Sequence, residues 1–328
     1  MENRLITSLP TFLLPLQEEL ENVQKLILAE LNDCQPEVLN TVQQRLFIGG
    51  KRVRPAIILF IGKALQGPKD KTIRLASAVE ILHNATLIHD DLIDHAAFRH
   101  HHPTIHTLYS PQLTVLIGDY LFAHAAKMVA EVGLQEITVI FTNTLLTIIN
   151  GEINQALSGK LQPDFGLYEK RIYQKTASLF EASALLAAKL CAAEPELLEA
   201  LRLFGYHTGM AFQMMDDVLD FVGEENNLGK PVGGDLRQGI LNLPTILYLA
   251  DNPDSPYTAS ILDGSCGNNE DLVAAILSDI KQSEAINKAL LKIDQHIHAG
   301  QKQLMLLPES NGQQGLLELL SYLSRRIH

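Results

Sequence analysis

Cysteine is scarce in this chain. Cys34, Cys191 and Cys266 lie far apart, are odd in number and form no CxxC pair. That excludes a disulfide framework or a thiolate zinc site and fits ordinary thiols in a reducing compartment, so the cytoplasm is the expected location. Basic charge is also short: 26 Lys and Arg against 38 Asp and Glu give a net charge of −12. Such a balance argues against a nucleic-acid partner recruited by a basic face. No stretch holds 18 consecutive apolar residues, so no transmembrane helix is expected. The apolar patch from Leu5 to Leu16 is interrupted by Pro10 and Pro15 and followed by Glu18, Glu19 and Glu21, with no small-residue cleavage site. It is not a signal peptide by that pattern. Low-complexity tracts and short repeats are missing too, which excludes a solenoid.

Strand-like alternation is rare, and what is present instead is helical periodicity. The segments Ala56–Leu65, Leu75–Ile93, Leu113–Val132, Ile137–Leu157, Ile172–Cys191, Glu196–Phe221 and Leu243–Ala250 are rich in Ala, Leu, Ile and Met at three- and four-residue intervals. Glycine and proline fall between them, at Gly49-Gly50, Gly67-Pro68, Pro103, Pro111, Pro163, Pro195, Gly223 and the stretch from Gly229 to Gly234. Residues 252–269 read as a loop and a helical tail resumes at Asp271. With 328 residues, 46% of them hydrophobic, the chain can bury a large core. The expected fold is all-α: a bundle of long antiparallel helices around a central cavity. It forms one domain over 1–328, with a motif-bearing core over roughly 40–250 and a helical tail over 271–328.

Two aspartate clusters of identical spacing interrupt this apolar pattern, Asp90-Asp91-Leu92-Ile93-Asp94 and Asp216-Asp217-Val218-Leu219-Asp220. Residues four apart share a helix face, so Asp90 stands beside Asp94 and Asp216 beside Asp220. Carboxylates so placed repel, and the neighbours Ala85 to Ile88 and Gly209 to Phe212 argue for burial, so a cation must offset the cost. Acidic oxygens without Cys or His in the repeat suit a hard cation. Mg²⁺, with Mn²⁺ as a substitute, binds through a few carboxylates plus substrate phosphates. A single cluster would serve equally as a solvated helix face; its repetition in apolar surroundings favours the cation site.

Basic residues lie in matching neighbourhoods. Gly49-Gly50-Lys51-Arg52-Val53-Arg54-Pro55 ends a helix in a glycine turn and presents three cations, Arg99 follows the first acidic cluster, Lys175 precedes Thr176, and Lys230 follows the second cluster. Alone, the basic turn would be a solvated loop. Together with two carboxylate clusters it describes a chamber for two diphosphates, one held through metal and one by direct cationic contacts.

At these motifs the chain closely resembles the trans-isoprenyl diphosphate synthases, the polyprenyl synthetase family, and within it the long-chain members. The resemblance is carried by Gly49 to Pro55, His83 to Asp94, Arg99 with Pro103-Thr104, Gly118-Asp119, Gly151-Glu152 with Gln155, Lys175-Thr176-Ala177 with Leu179-Phe180, Ala211 to Asp220, and Gly234-Asp235-Leu236 with Leu243-Pro244. It implies an isoprenoid synthase-type fold and the head-to-tail condensation of isopentenyl diphosphate with an allylic diphosphate, farnesyl or geranylgeranyl, releasing pyrophosphate. By the same resemblance Asp90, Asp94 and Asp216 are direct Mg²⁺ ligands, supported by Asp91, Asp217 and Asp220. Arg99, Lys175, Thr176, Gln213 and Lys230 hold the allylic diphosphate, and Lys51, Arg54 and His83 hold isopentenyl diphosphate. A homodimer is implied, and a greasy product implies transient membrane contact at release. Ala85 and Thr86, small residues one turn before Asp90, imply a long product of about C35 to C45, with a lower floor near Met128, Val129 or Phe141.

Two positions depart from the family pattern. His100 stands where a second arginine usually follows Arg99, weakening an isopentenyl diphosphate contact, and Ile240 stands where lysine usually follows Gly239. They keep open a catalytically weak subunit of a heteromeric synthase; intact aspartate clusters argue against it. A geranylgeranyl synthase is the shorter-chain alternative. A class I terpene cyclase would not need Lys51 and Arg54, nor carry the second aspartate cluster. His95, His100, His101, His102 and His106 could bind a transition metal, but Pro103 makes the run loop-like and no helical His pair with a carboxylate is present, so no designed metal site is expected there.

Overall fold

The computed structural model describes residues 10–33, 35–47, 51–99, 102–157, 162–223 and 232–325. After a 3₁₀ turn, Thr11–Leu16, come α1 (Gln17–Glu30), α2 (Pro36–Phe47), α3 (Val53–Ala64) and α4 (Lys69–Ile93). A two-residue antiparallel ladder, β1 (Phe98–Arg99) with β2 (His102–Pro103), pairs Arg99 with His102 and is the only sheet among the described residues. Then follow α5 (Ile105–Leu108), α6 (Pro111–Ala130), α7 (Gln135–Leu157), α8 (Phe165–Ile172), a π turn (Tyr173–Ala177), α9 (Ser178–Leu190) and α10 (Pro195–Val222). The rest comprises α11 (Gly234–Arg237), α12 (Leu243–Asp251), α13 (Thr258–Leu262), α14 (Glu270–Gln282), α15 (Ala285–Leu304) and α16 (Asn311–Ser324). The fold is all-α, as the periodicity predicts.

The chain packs as two units. The first draws on residues 1–144, 182–203 and 303–319. Its centre is α4, which lies along α6 and also packs on α3 and α1. Leu75, Ala76, Val79, Ile81, Leu82 and Ala85 of α4 are fully buried, as are Ala56 to Ile58 of α3 and Leu121, Ala125, Met128 and Val129 of α6. Each large side chain so buried contributes about 1.5–3 kcal/mol. Ser110 caps α6, its hydroxyl accepting from Leu113 N at 3.3 Å, and Pro111 at the first helical position fixes φ there. By length and composition alone α6 is apolar enough to cross a membrane, although its sequence lacks an unbroken run of 18 apolar residues.

The second unit draws on residues 145–181, 204–302 and 320–328. Here the sequence pattern predicts one helix over Ile172–Cys191, and the structure instead inserts the π turn ahead of α9. Two glycines let neighbouring helices come against that wider turn. A Cβ on Gly209 of α10 would stand 2.6 Å from Ala177 Cα, and one on Gly151 of α7 would stand 2.8 Å from Gln174 Cβ. The π turn spans only five residues, too few to show a period of its own, so the pattern conceals it. The predicted loop over 252–269 contains α13 and a 3₁₀ turn, Ser265–Asn268, both too short to show a period.

Candidate active site

The first acidic cluster ends α4. Asp94 N donates to Asp90 O at 2.8 Å, so helical geometry reaches Asp94 and stacks the two carboxylates one turn apart. They sit at the negative end of a 25-residue helix, where acidic side chains are unfavourable by about 0.3–1 kcal/mol each. Asp90 is half-buried and Asp94 exposed, whereas Asp91 between them is buried. Arg99 holds Asp91: its Nε and Nη2 each lie 2.8 Å from Asp91 Oδ1. The β1–β2 ladder carries Arg99 back to the helix it follows.

The basic turn is divided. Sequence reasoning has it present three cations, but Arg52 turns onto the buried carboxylate of Glu80 and donates from Nη2 to Leu46 O at 2.8 Å. Its backbone is left-handed, φ 48°, a strain that these contacts hold in place. Arg54 points the other way and donates from Nη1 to His83 Nε2 at 3.1 Å. Burial pushes the His83 pKa well below 6.5, and the charges of Arg54, Arg99 and Arg52 push the same way. His83 is therefore neutral, with Nε2 accepting and its proton on Nδ1. Thr86, half-buried, donates to His83 O at 2.7 Å. Ala85, Met128, Val129 and Phe141 are all buried in this first unit.

The second cluster lies in α10, in the second unit, and its acids also differ. Asp216 is half-buried, while Asp217 and Asp220 are buried. Asp220 accepts from Gly234 N at 3.2 Å and Asp235 N at 3.1 Å, the first amides of α11. Asp217 accepts from Tyr168 Oη at 2.8 Å, Leu243 N at 3.1 Å and Gln213 Nε2 at 2.9 Å. Burial pushes its carboxyl up to about 7, the charge of Asp235 adds to that, and the three donors oppose it. Asn242 in turn donates to Asp235 Oδ2 at 2.9 Å. The π turn supplies one cation of this unit: Lys175 Nζ is 3.1 Å from Glu152 Oε1, and Thr176 donates to Gln213 Oε1 at 2.7 Å.

His100, His101, Lys230, Gly49 and Gly50 lie outside the described residues. His102 is exposed, His106 Nδ1 sits 3.0 Å from Thr104 Oγ1, and among the described residues no three His, Cys, Asp or Glu side chains converge to hold a metal by themselves. A cation here would therefore need further oxygens beyond one cluster. The donor chemistry of each unit fits one: Asp90 with Asp94 in the first and Asp216 in the second offer hard carboxylate oxygens, and Mg²⁺ would complete its shell with water and phosphate oxygens. Sequence reasoning missed Tyr168, Asn242 and Glu80. None lies within a cluster, and each meets its carboxylate or guanidinium only through tertiary packing.

An all-α chain with paired carboxylates in two apolar helices, neutral His83 against Arg54, and Lys175 on a π turn defines a helical enzyme that handles diphosphates. The polyprenyl synthetase family matches residues 36–280, and the chain belongs to that family. It is a prenyltransferase. Heptaprenyl diphosphate synthase component 2 of Geobacillus stearothermophilus is 34% identical over 310 residues, covering 93% of this chain and 94% of that protein. Chloroplastic solanesyl diphosphate synthase 1 of Arabidopsis thaliana is 32% identical over 331 residues, covering 98% of this chain and 79% of that protein. Among solved structures, a polyprenyl synthase from Caulobacter crescentus CB15, complexed with calcium and isoprenyl diphosphate, superposes with a TM-score of 0.88 at 28% identity, covering 97% of this chain and 98% of that one.

Proposed function

We propose that the chain condenses isopentenyl diphosphate with farnesyl or geranylgeranyl diphosphate, head to tail, to a long-chain polyprenyl diphosphate. The observation that carries this reading is the division of labour inside each acidic cluster: Asp91, Asp217 and Asp220 are buried on protein donors, while Asp90, Asp94 and Asp216 are more exposed. The less buried set holds Mg²⁺, or Mn²⁺ in its place, and the buried set fixes the helices that carry it. When bound, the cation supplies positive charge for the departing pyrophosphate. Arg99, Lys175, Gln213 and Lys230 grip the allylic diphosphate; Lys51, Arg54 and neutral His83 grip isopentenyl diphosphate. These fixed charges favour departure of the pyrophosphate anion as the allylic C–O bond breaks and leaves the allylic cation. The isopentenyl double bond then attacks the allylic cation, and the released pyrophosphate takes the proton lost.

The chain acts as a homodimer in the cytoplasm, with brief membrane contact at product release. Val139, Leu146, Ile149, Ile153 and Leu157 leave an exposed apolar row on α7, which supports pairing. The test is incubation of purified protein with isopentenyl and farnesyl diphosphates and Mg²⁺, followed by chromatography of the dephosphorylated products. Long polyprenols are expected, and failure to consume either substrate overturns the reading. The likeness to a heptaprenyl synthase component 2 favours a second reading, a subunit that needs another chain. Turnover by the purified chain alone excludes it.

A further inference from the structure

We propose that Tyr168 is a positioning residue for the second acidic cluster, acting through Asp217 to fix Gln213 and the Lys175–Thr176 turn relative to Asp216. The proposal rests on the reading of that cluster as a cation-and-diphosphate site.

Asp217 is where four separate segments meet. Tyr168 comes from α8, Leu243 N from the start of α12, Gln213 from one turn earlier in α10, and Thr176 joins from the π turn through Gln213. The two oxygens of Asp217 take three donors, two on Oδ2 and one on Oδ1. That arrangement dictates the orientation of the Gln213 amide. Its Nε2 must face the carboxylate, which leaves Oε1 for the Thr176 hydroxyl at 2.7 Å. Lys175, next in sequence, is thereby tied to the helix that bears Asp216. The Leu243 donor is backbone, and replacing Gln213 would also cut its bond to Thr176, so the hydroxyl of Tyr168 is the donor that a side-chain change can remove alone.

Tyr168 is built to stay in place. It is 2% exposed, Phe165 stacks on it with ring centroids 6.0 Å apart, and Arg171 lies over its ring at 5.6 Å while also donating to Leu241 O. Lys292 of α15 stands 3.8 Å from the Phe165 ring centroid and closes the stack from outside. Burial and the charge of Asp217 push the phenol pKa well above 10, so the group is a permanent donor. A ring needed only for packing would not require its hydroxyl, and a buried hydroxyl aimed at a buried carboxylate is costly unless both are satisfied.

The test compares wild type with Tyr168→Phe, which keeps the ring and its stack. Two measurements are made: steady-state kinetics against Mg²⁺, farnesyl diphosphate and isopentenyl diphosphate, and the shift in melting temperature caused by Mg²⁺ with inorganic pyrophosphate. The expected result is a three- to tenfold rise in the Mg²⁺ half-saturation and in KM for farnesyl diphosphate, KM for isopentenyl diphosphate within about twofold, and a smaller pyrophosphate shift. A variant that melts earlier but keeps every half-saturation and the full pyrophosphate shift overturns the proposal, since the hydroxyl would then serve stability only. Absence of any Mg²⁺-dependent pyrophosphate shift in wild type would overturn the reading of the cluster and the proposal with it.

Discussion

The imidazole of His89 occupies the space beside Gly118, where a Cβ would stand 2.0 Å from Nε2 and 2.4 Å from Cδ2. The ring is held on its other sides by the Val115 carbonyl, 3.0 Å from Nε2, and by Phe122, edge-on with centroids 5.3 Å apart. This contact sets how closely α6 approaches α4, and the residue after His89 is Asp90. The glycine thus links helix packing to the position of a candidate metal ligand.

Gly118→Ala should therefore cost about 1–3 kcal/mol, the range for overpacking a tight contact. Urea unfolding measures the loss directly. The same variant should need more Mg²⁺ for half-maximal rate, because His89 can make room only by moving away from Val115 and turning the helix end. An unchanged midpoint and unchanged Mg²⁺ dependence would show that the ring moves freely.

Removing the carboxylates themselves should be far more severe. Asp90→Ala or Asp216→Ala is expected to lower kcat at least about a hundredfold, the scale for loss of one fixed electrostatic group. Chelation should abolish turnover in wild type and Mn²⁺ should restore it. Because Asp90 sits half-buried in the last turn of α4, at the negative end of the helix, Asp90→Ala should melt no earlier than wild type. Turnover that resists chelation would defeat the metal assignment.

The two aspartate clusters and the long helices were legible because their signals are local. A three- to four-residue apolar period and an i,i+4 acid pair need no tertiary information. What escaped was partnership across the chain. Arg52 and Arg54 look alike in sequence, yet one meets Glu80 and the other His83, because the left-handed backbone at Arg52 sends it to a different neighbour. Asp91, Asp217 and Asp220 likewise look equivalent to their flanking acids until Arg99, Tyr168 and the α11 amides are placed against them. The π turn that carries Lys175 leaves no trace in the periodicity, and the close approach of Gly151 and Gly209 to it is visible only in the structure.

Product length offers a third expectation. Ala85 is buried one turn before Asp90, so Ala85→Phe should fill space the growing chain would use and shorten the product to about C15 or C20. Chromatography of the dephosphorylated products checks it. Full-length product from a well-folded variant would place the tunnel away from Ala85, and with it the floor expected near Met128, Val129 and Phe141.

The final expectation concerns acid stability. His207 and His296 face each other with Nδ1 atoms 3.0 Å apart, so one donates and the other accepts, and a second proton breaks the bond. Burial, reinforced by the charges of His207 and Lys292, pushes the His296 pKa from 6.5 down to about 4. The unfolded chain therefore binds a proton below about 6.5 that the folded chain refuses until about 4, so this contribution is intact above pH 6.5 and is lost as pH falls toward 4. His83, also held neutral, acts in the same direction. Asp217, raised to about 7, acts in the opposite one, but it is common to both proteins when wild type is compared with His296→Gln. Urea midpoints at pH 8, 6.5 and 5 should show wild type losing about 1–2 kcal/mol more than the variant over the lower interval, about one pKa unit being worth 1.4 kcal/mol. Parallel pH profiles for the two proteins would mean that His296 takes up its proton as readily folded as unfolded.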